Sequence, residues 1–196
     1  MAGQGQSKKQ RLAKDDWTAA ALAALAEGGL AAVAIEPLAV KLGATKGSAY
    51  WHFPNREALV RAALDRWEAE QTDAVIARVE VAGDPREQLR LLFAAAFADP
   101  ESSRVQLALH AAATDPVVAP VLARVTQRRI DYLAVLYAKV GFPAEDARRR
   151  ATLAYTTYLG TIQLRRSVPD AVPRTPGEWR RYLDDAVRAL TVDPHA

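Results

Sequence analysis

The stretch Thr45-Lys46-Gly47-Ser48-Ala49-Tyr50-Trp51-His52-Phe53 packs hydrogen-bond donors and aromatic rings unusually densely for so short a segment. Lys46 and Ser48 stand at its start, where a lysine ammonium can donate to guanine O6 or N7 and a hydroxyl can meet a base edge. Gly47 carries no Cβ, so its backbone can come close to a groove wall. Thr45, Tyr50 and His52, with Arg56 just beyond, can donate to phosphate oxygens, contacts that position a protein on a duplex without reading its sequence. Trp51 can pack on a thymine methyl or a sugar, or plug the gap to the next helix, and both readings stand. The chemistry these side chains offer is recognition of double-stranded DNA, in which no covalent bond changes.

These groups need a scaffold to aim them. Ala49 and Phe53 are four apart and point one way, toward Leu38, Leu42 and an earlier helix, which leaves Lys46, Ser48, Tyr50, Trp51 and His52 around the remaining surface. Trp17, Ala21, Ala24 and Leu25 predict that earlier helix from Asp15 or Asp16 to Glu27, stopped by Gly28-Gly29. Ile35, Leu38, Ala39 and Leu42 predict a two-turn helix closed by Gly43, after which Thr45 caps a third through Phe53. Three short helices with a tight turn before the last make a helix-turn-helix.

Pro54 ends the third helix and Asn55 caps a fourth, expected to run unbroken to about Val81, roughly 40 Å at 1.5 Å per residue. Asp84, Pro85 and Glu87 begin another helix through about Ala98. The same grammar at Asp99-Pro100, Asp115-Pro116, Gly141-Phe142-Pro143 and Thr175-Pro176-Gly177-Glu178 predicts helices near 101–113, 117–140, 143–166 and 176–191, with a proline-rich loop over 167–174. Nothing alternates as a sheet would, so the fold class is all-α.

The 196 residues carry no cysteine, which excludes disulfides, cysteine-ligated zinc and a thiol nucleophile. His52, His110 and His195 lie far apart, no spacing suits a metal, and no phosphate loop or nucleophile motif occurs, so neither an enzyme nor a cofactor is expected. No run approaches the ~18 apolar residues of a membrane span, and the polar first residues argue against secretion, which points to the cytoplasm and no membrane partner. A net charge of +3 is a weak basic bias, but Lys8, Lys9, Arg11 and Lys14 cluster in residues 1–14, read as a flexible arm able to reach a phosphate backbone or simply to aid solubility.

Residues 15–64 resemble the DNA-binding domain of the TetR (tetracycline repressor) family. The likeness rests on Leu38-Ala39 and then on Leu42-Gly43-Ala44-Thr45-Lys46-Gly47-Ser48-Ala49-Tyr50-Trp51-His52-Phe53-Pro54-Asn55-Arg56-Glu57-Ala58-Leu59. Helix number, the long fourth helix and the stretch Pro143 to Leu164 extend it more loosely. The resemblance implies a helix-turn-helix domain over 15–60 and a helical ligand-binding and dimerisation domain over 61–196. It further implies a regulator, expected to be a repressor, that binds a palindromic DNA operator as a homodimer and is released by a small effector. Members often carry Thr or Ser at the start of the second helix and a basic or polar residue just inside. Here Ala34, Ile35 and Glu36 stand there, so DNA contacts from that helix are not expected, and an outward Glu36 opposes phosphate. The competing reading is a helical adaptor whose aromatic surface meets protein.

For the effector pocket the candidates are Phe93, Phe97, Leu107, His110, Tyr132, Tyr137, Tyr155 and Tyr158, apolar area with a few polar tips that suits an apolar or aromatic molecule or ordinary core. For the dimer interface they are Ala151, Ala154, Tyr158 and Ile162 on one helix and Trp179, Leu183 and Val187 on the last, two stripes that could build a four-helix bundle between subunits.

Overall fold

The computed structural model describes residues 12–191 and contains no strand among them. Ten α-helices follow in order: α1 (Lys14–Gly28), α2 (Ile35–Lys41), α3 (Lys46–His52), α4 (Arg56–Glu68), α5 (Ala74–Glu80), α6 (Pro85–Ala98), α7 (Pro100–Ala111), α8 (Val118–Val140), α9 (Ala144–Ser167) and α10 (Pro176–Thr191). Lys8, Lys9 and Arg11 of the expected arm lie outside the described residues, while Lys14 already opens α1, where the Asp16 carboxylate accepts from the Ala13 N–H at 2.7 Å. No helix among the described residues is long and apolar enough to cross a membrane.

Local chemistry sets most of the borders. Thr45 Oγ1 accepts from the Ser48 N–H, Asn55 Oδ1 from Ala58, Asp84 Oδ2 from Glu87 and Asp99 Oδ1 from Glu101, so α3, α4, α6 and α7 each begin on a side-chain cap. Between α2 and α3 the chain reverses at Gly43 with φ +61°, a left-handed conformation that an L side chain would strain.

The expected single long helix is interrupted. Between α4 and α5 the chain makes one wide π turn, Ala69–Asp73, with neither Gly nor Pro to mark it. Its partner comes from far along the chain. Arg129 of α8 donates from Nη2 to the Gln71 carbonyl at 3.0 Å and from Nε to Thr72 Oγ1 at 2.9 Å, so the widened turn serves a guanidinium on a neighbouring helix.

Two apolar cores result. The first gathers Trp17, Leu25, Leu38, Phe53, Leu59, Leu64 and Trp67 and continues into Val105 and Leu109 of α7 and Leu122 and Val125 of α8. A border at residue 60 would cut this core, because Ala63, Leu64 and Trp67 of α4 bury the same face as Leu59. The second core joins Leu89, Phe93 and Phe97 of α6 to Leu136 and Tyr137 of α8 and Ala151, Ala154, Tyr155 and Ile162 of α9. Ion pairs tie α4 and the π turn to α8, Glu68 with Arg124 at 2.5 Å and Asp73 with Arg128 at 3.0 Å. The Arg124 guanidinium holds the Glu68 carboxyl below its ordinary range against the opposing effect of burial.

Candidate nucleic-acid interface and cavity

The helix-turn-helix of α2 and α3 turns one face of α3 inward through Ala49, and Phe53 just past its end is buried with it. The opposite face is open. Tyr50 is 50% exposed and Trp51 72% exposed, and Thr45, Lys46 and Gly47 are exposed at the helix start. A Cβ added at Gly47 would meet only Thr45 Oγ1, at 3.8 Å, so the fold itself does not demand glycine there.

Two expected phosphate donors have other partners. Arg56 donates from Nε to the Val33 carbonyl at 2.6 Å and from Nη2 to the Leu30 carbonyl at 2.5 Å, tying α4 to the link between α1 and α2. His52 donates from Nε2 to the Leu12 carbonyl at 3.0 Å and so holds the segment entering α1. Both side chains are structural ties in this fold, because a carbonyl left over at a helix border is a nearer and fixed acceptor. Lys46 also has a partner that spacing does not disclose, an ion pair with Glu36 of α2 across an exposed surface.

That pair bears on affinity. Any phosphate or base contact by Lys46 must displace a carboxylate that itself repels the DNA backbone. Glu36→Gln should therefore raise affinity for the DNA site about tenfold, since an exposed pair is worth up to ~1 kcal/mol and a two-fold complex holds two of them. Fluorescence anisotropy on a labelled duplex reads this directly, and an unchanged Kd would place Glu36 away from the backbone.

A half-open cavity with room of about 90 Å³ for water-sized molecules lies among α5, α6, α8, α9 and the π turn. Gln71, Thr72, Phe93, Arg129, Tyr132 and Tyr158 contribute to its wall. Burial pushes the Tyr158 hydroxyl up to about 12, so it is a neutral group there.

Residues 18–63 match the family model described as bacterial regulatory proteins, tetR family. That stretch carries the N-terminal DNA-binding domain of the TetR family. The match runs from α1 into α4 and includes all of α3.

Solved structures repeat the whole fold at low identity. A transcriptional regulator from Rhodococcus sp. superposes with a TM-score of 0.78 at 23% identity over 93% of this chain and 100% of that one. A TetR-family regulator from Agrobacterium tumefaciens gives 0.73 at 22% identity, covering 88% and 96%. A regulator from Saccharomonospora viridis in complex with choline gives 0.72 at 20% identity, covering 90% and 92%. No curated protein matches the sequence.

The cavity takes in Phe93, Tyr132, Tyr155 and Tyr158 of the eight expected residues. The other four sit elsewhere. Phe97 stacks on Trp179 with ring centroids 5.6 Å apart, Tyr137 is buried against Phe142, and Leu107 packs at the edge of the second core. His110 is half-buried on α7, where burial and the Arg129 charge hold its pKa below the usual value. Arg129, Gln71 and Thr72 were missed by sequence reasoning because their roles depend on the π turn.

The proposed dimer stripes fold inward too. Ala151, Ala154 and Ile162 are buried in the subunit's own core, Tyr158 lines the cavity, and Trp179, Leu183 and Val187 pack α10 onto the same core. The apolar surface left on α9 is a different stripe, Leu153, Gly160 and Leu164, which share one side at helical spacing.

Proposed function

We propose that this chain is a TetR-family repressor that binds a palindromic operator as a homodimer and leaves it when a small molecule enters the cavity. The observation that carries the reading is the exposed face of α3, where Lys46, Tyr50 and Trp51 stand outside both cores at the end of a tight turn. That face presents donors and rings at the scale of a major groove. The helix leading away from it becomes a wall of the cavity after the π turn, so occupancy and the position of α3 share one element. The choline complex of the Saccharomonospora viridis regulator supports a small-molecule role for this fold.

Dimerisation runs through the outward side of α9, where Leu153 and Leu164 remain 56% and 44% exposed. Reading successive major grooves requires the two copies of α3 about 34 Å apart on one side of the duplex, one helical turn of DNA. Such a protein works in the cytoplasm, on the chromosome.

Salt titration of the full chain against duplex fragments selected from its source genome tests the reading. Affinity should fall by roughly 10³- to 10⁵-fold between 50 and 200 mM salt, as for a complex with 6–10 phosphate contacts. A protein adaptor would show no duplex binding even at low salt.

A further inference from the structure

The cavity contains a cation whose direct hydrogen bonds go to neutral acceptors. Helix α8 carries Arg124, Arg128 and Arg129. Arg124 meets the Glu68 carboxylate and Arg128 the Asp73 carboxylate, both at ion-pair distance. Arg129, the one of the three that lines the cavity, meets neutral acceptors: Thr72 Oγ1 at 2.9 Å, Gln106 Oε1 at 2.8 Å and the Gln71 carbonyl at 3.0 Å. The Trp67 ring lies 5.1 Å from its Cζ. The Tyr158 hydroxyl also interacts with this guanidinium, which has five N–H groups in all. The Glu68 carboxylate acts on this cation only through space, and a half-buried guanidinium whose direct bonds go to neutral acceptors leaves room for a carboxylate, which adds charge-assisted bonds and offsets the loss of water.

A second group in the wall points the same way. Tyr132, three residues on and therefore on the same side of α8, lines the cavity with a buried hydroxyl that has no hydrogen-bond partner among the described residues. It can donate one bond to an anion oxygen. The remaining wall is apolar, with Val75, Ile76, Leu92 and Leu133 beside the rings of Phe93 and Tyr155. The acid at the cavity, Asp99, is exposed and caps α7 through the Glu101 N–H. One guanidinium bonded to neutral acceptors, one spare donor and an apolar wall suit a single negative charge on an apolar body; a quaternary ammonium would meet the guanidinium as a like charge.

We propose that the cavity binds an organic monocarboxylate, its carboxylate on Arg129 with help from the Tyr132 hydroxyl and its apolar body against Phe93 and Tyr155. The proposal rests on the effector reading only for its regulatory meaning. Arg129 also holds the π turn through Gln71 and Thr72, so a carboxylate competing for the same N–H groups loosens the joint between α4 and α5.

Calorimetry on the full chain tests it with phenylacetate and octanoate, their neutral amides and choline. The acids should bind at least about tenfold more tightly than the amides, the margin expected of charge-assisted bonds. Arg129→Gln should erase that margin and Tyr132→Phe should narrow it. If Arg129→Gln unfolds the protein, the acid-to-amide ratio on the native chain and Tyr132→Phe decide alone. Equal binding of acids and amides, tighter binding of choline, or no binding of either acid up to about 10 mM overturns the proposal. Release of operator DNA is measured separately. Acids that bind without releasing DNA leave the carboxylate site standing and end the effector reading, whereas release by choline or an amide does the reverse.

Discussion

Lys46→Ala and Tyr50→Ala, made singly in the full chain, should each cut operator affinity by roughly 30- to 10⁴-fold while leaving the dimer and its helical content intact. A direct base-edge contact is worth about 1–3 kcal/mol, a bond to a charged phosphate similar, and a two-fold complex loses each twice. The fold should not notice. Lys46 is exposed and its partner Glu36 is equally exposed, and half of the Tyr50 surface faces solvent. Surface changes of this kind stay within about 0.5 kcal/mol of stability. Anisotropy titration at fixed salt gives the affinity and circular dichroism the folding control. A variant that loses helix, or one that binds DNA as the parent does, would remove α3 from the interface.

The second large effect is expected at Gly160. A Cβ there meets nothing within 4 Å, so Gly160→Arg is accommodated in the isolated subunit. Across a two-fold axis through the outward side of α9, however, the two new arginines face each other where Leu153 and Leu164 would otherwise pack. Light scattering should then report a species of 21.3 kDa with its helical content kept. Operator affinity should fall by about 10²- to 10⁴-fold, because two half-sites joined in one molecule become independent binding events. A dimer that survives with full affinity would move the interface off α9. In contrast, substitution of Ala151 or Ile162 would damage the subunit's own core, which separates the two stripes experimentally.

The helix borders were legible because the caps act over two or three residues. Thr45, Asn55, Asp84 and Asp99 each accept an N–H from their own first turn, and such contacts depend on neighbours in the chain. The outward face of α3 was legible for a similar reason: once Ala49 and Phe53 point inward, helical geometry sends Tyr50 and Trp51 out. Both inferences need only local spacing.

Arg56, His52 and Arg129 show where that reasoning stops. Their partners lie 23 to 58 positions away, at the Val33 and Leu12 carbonyls and in the π turn, and a side chain with several donors looks the same in sequence whichever acceptor it finds. The inward turn of the Ala151–Ile162 stripe was equally hidden, since a helix with apolar residues on two sides does not say which side its own subunit covers.

By itself the sequence determined an all-helical chain, its helix-turn-helix and the side chains displayed on α3, because periodicity, caps and turn residues act within a few positions. Tertiary structure decided which cations are ties and which remain available, where the π turn opens, which wall of the cavity is charged and which side of α9 is left uncovered. Those outcomes follow from packing α4, α8 and α9 together, where burial and charge compensation are settled between residues distant in the chain.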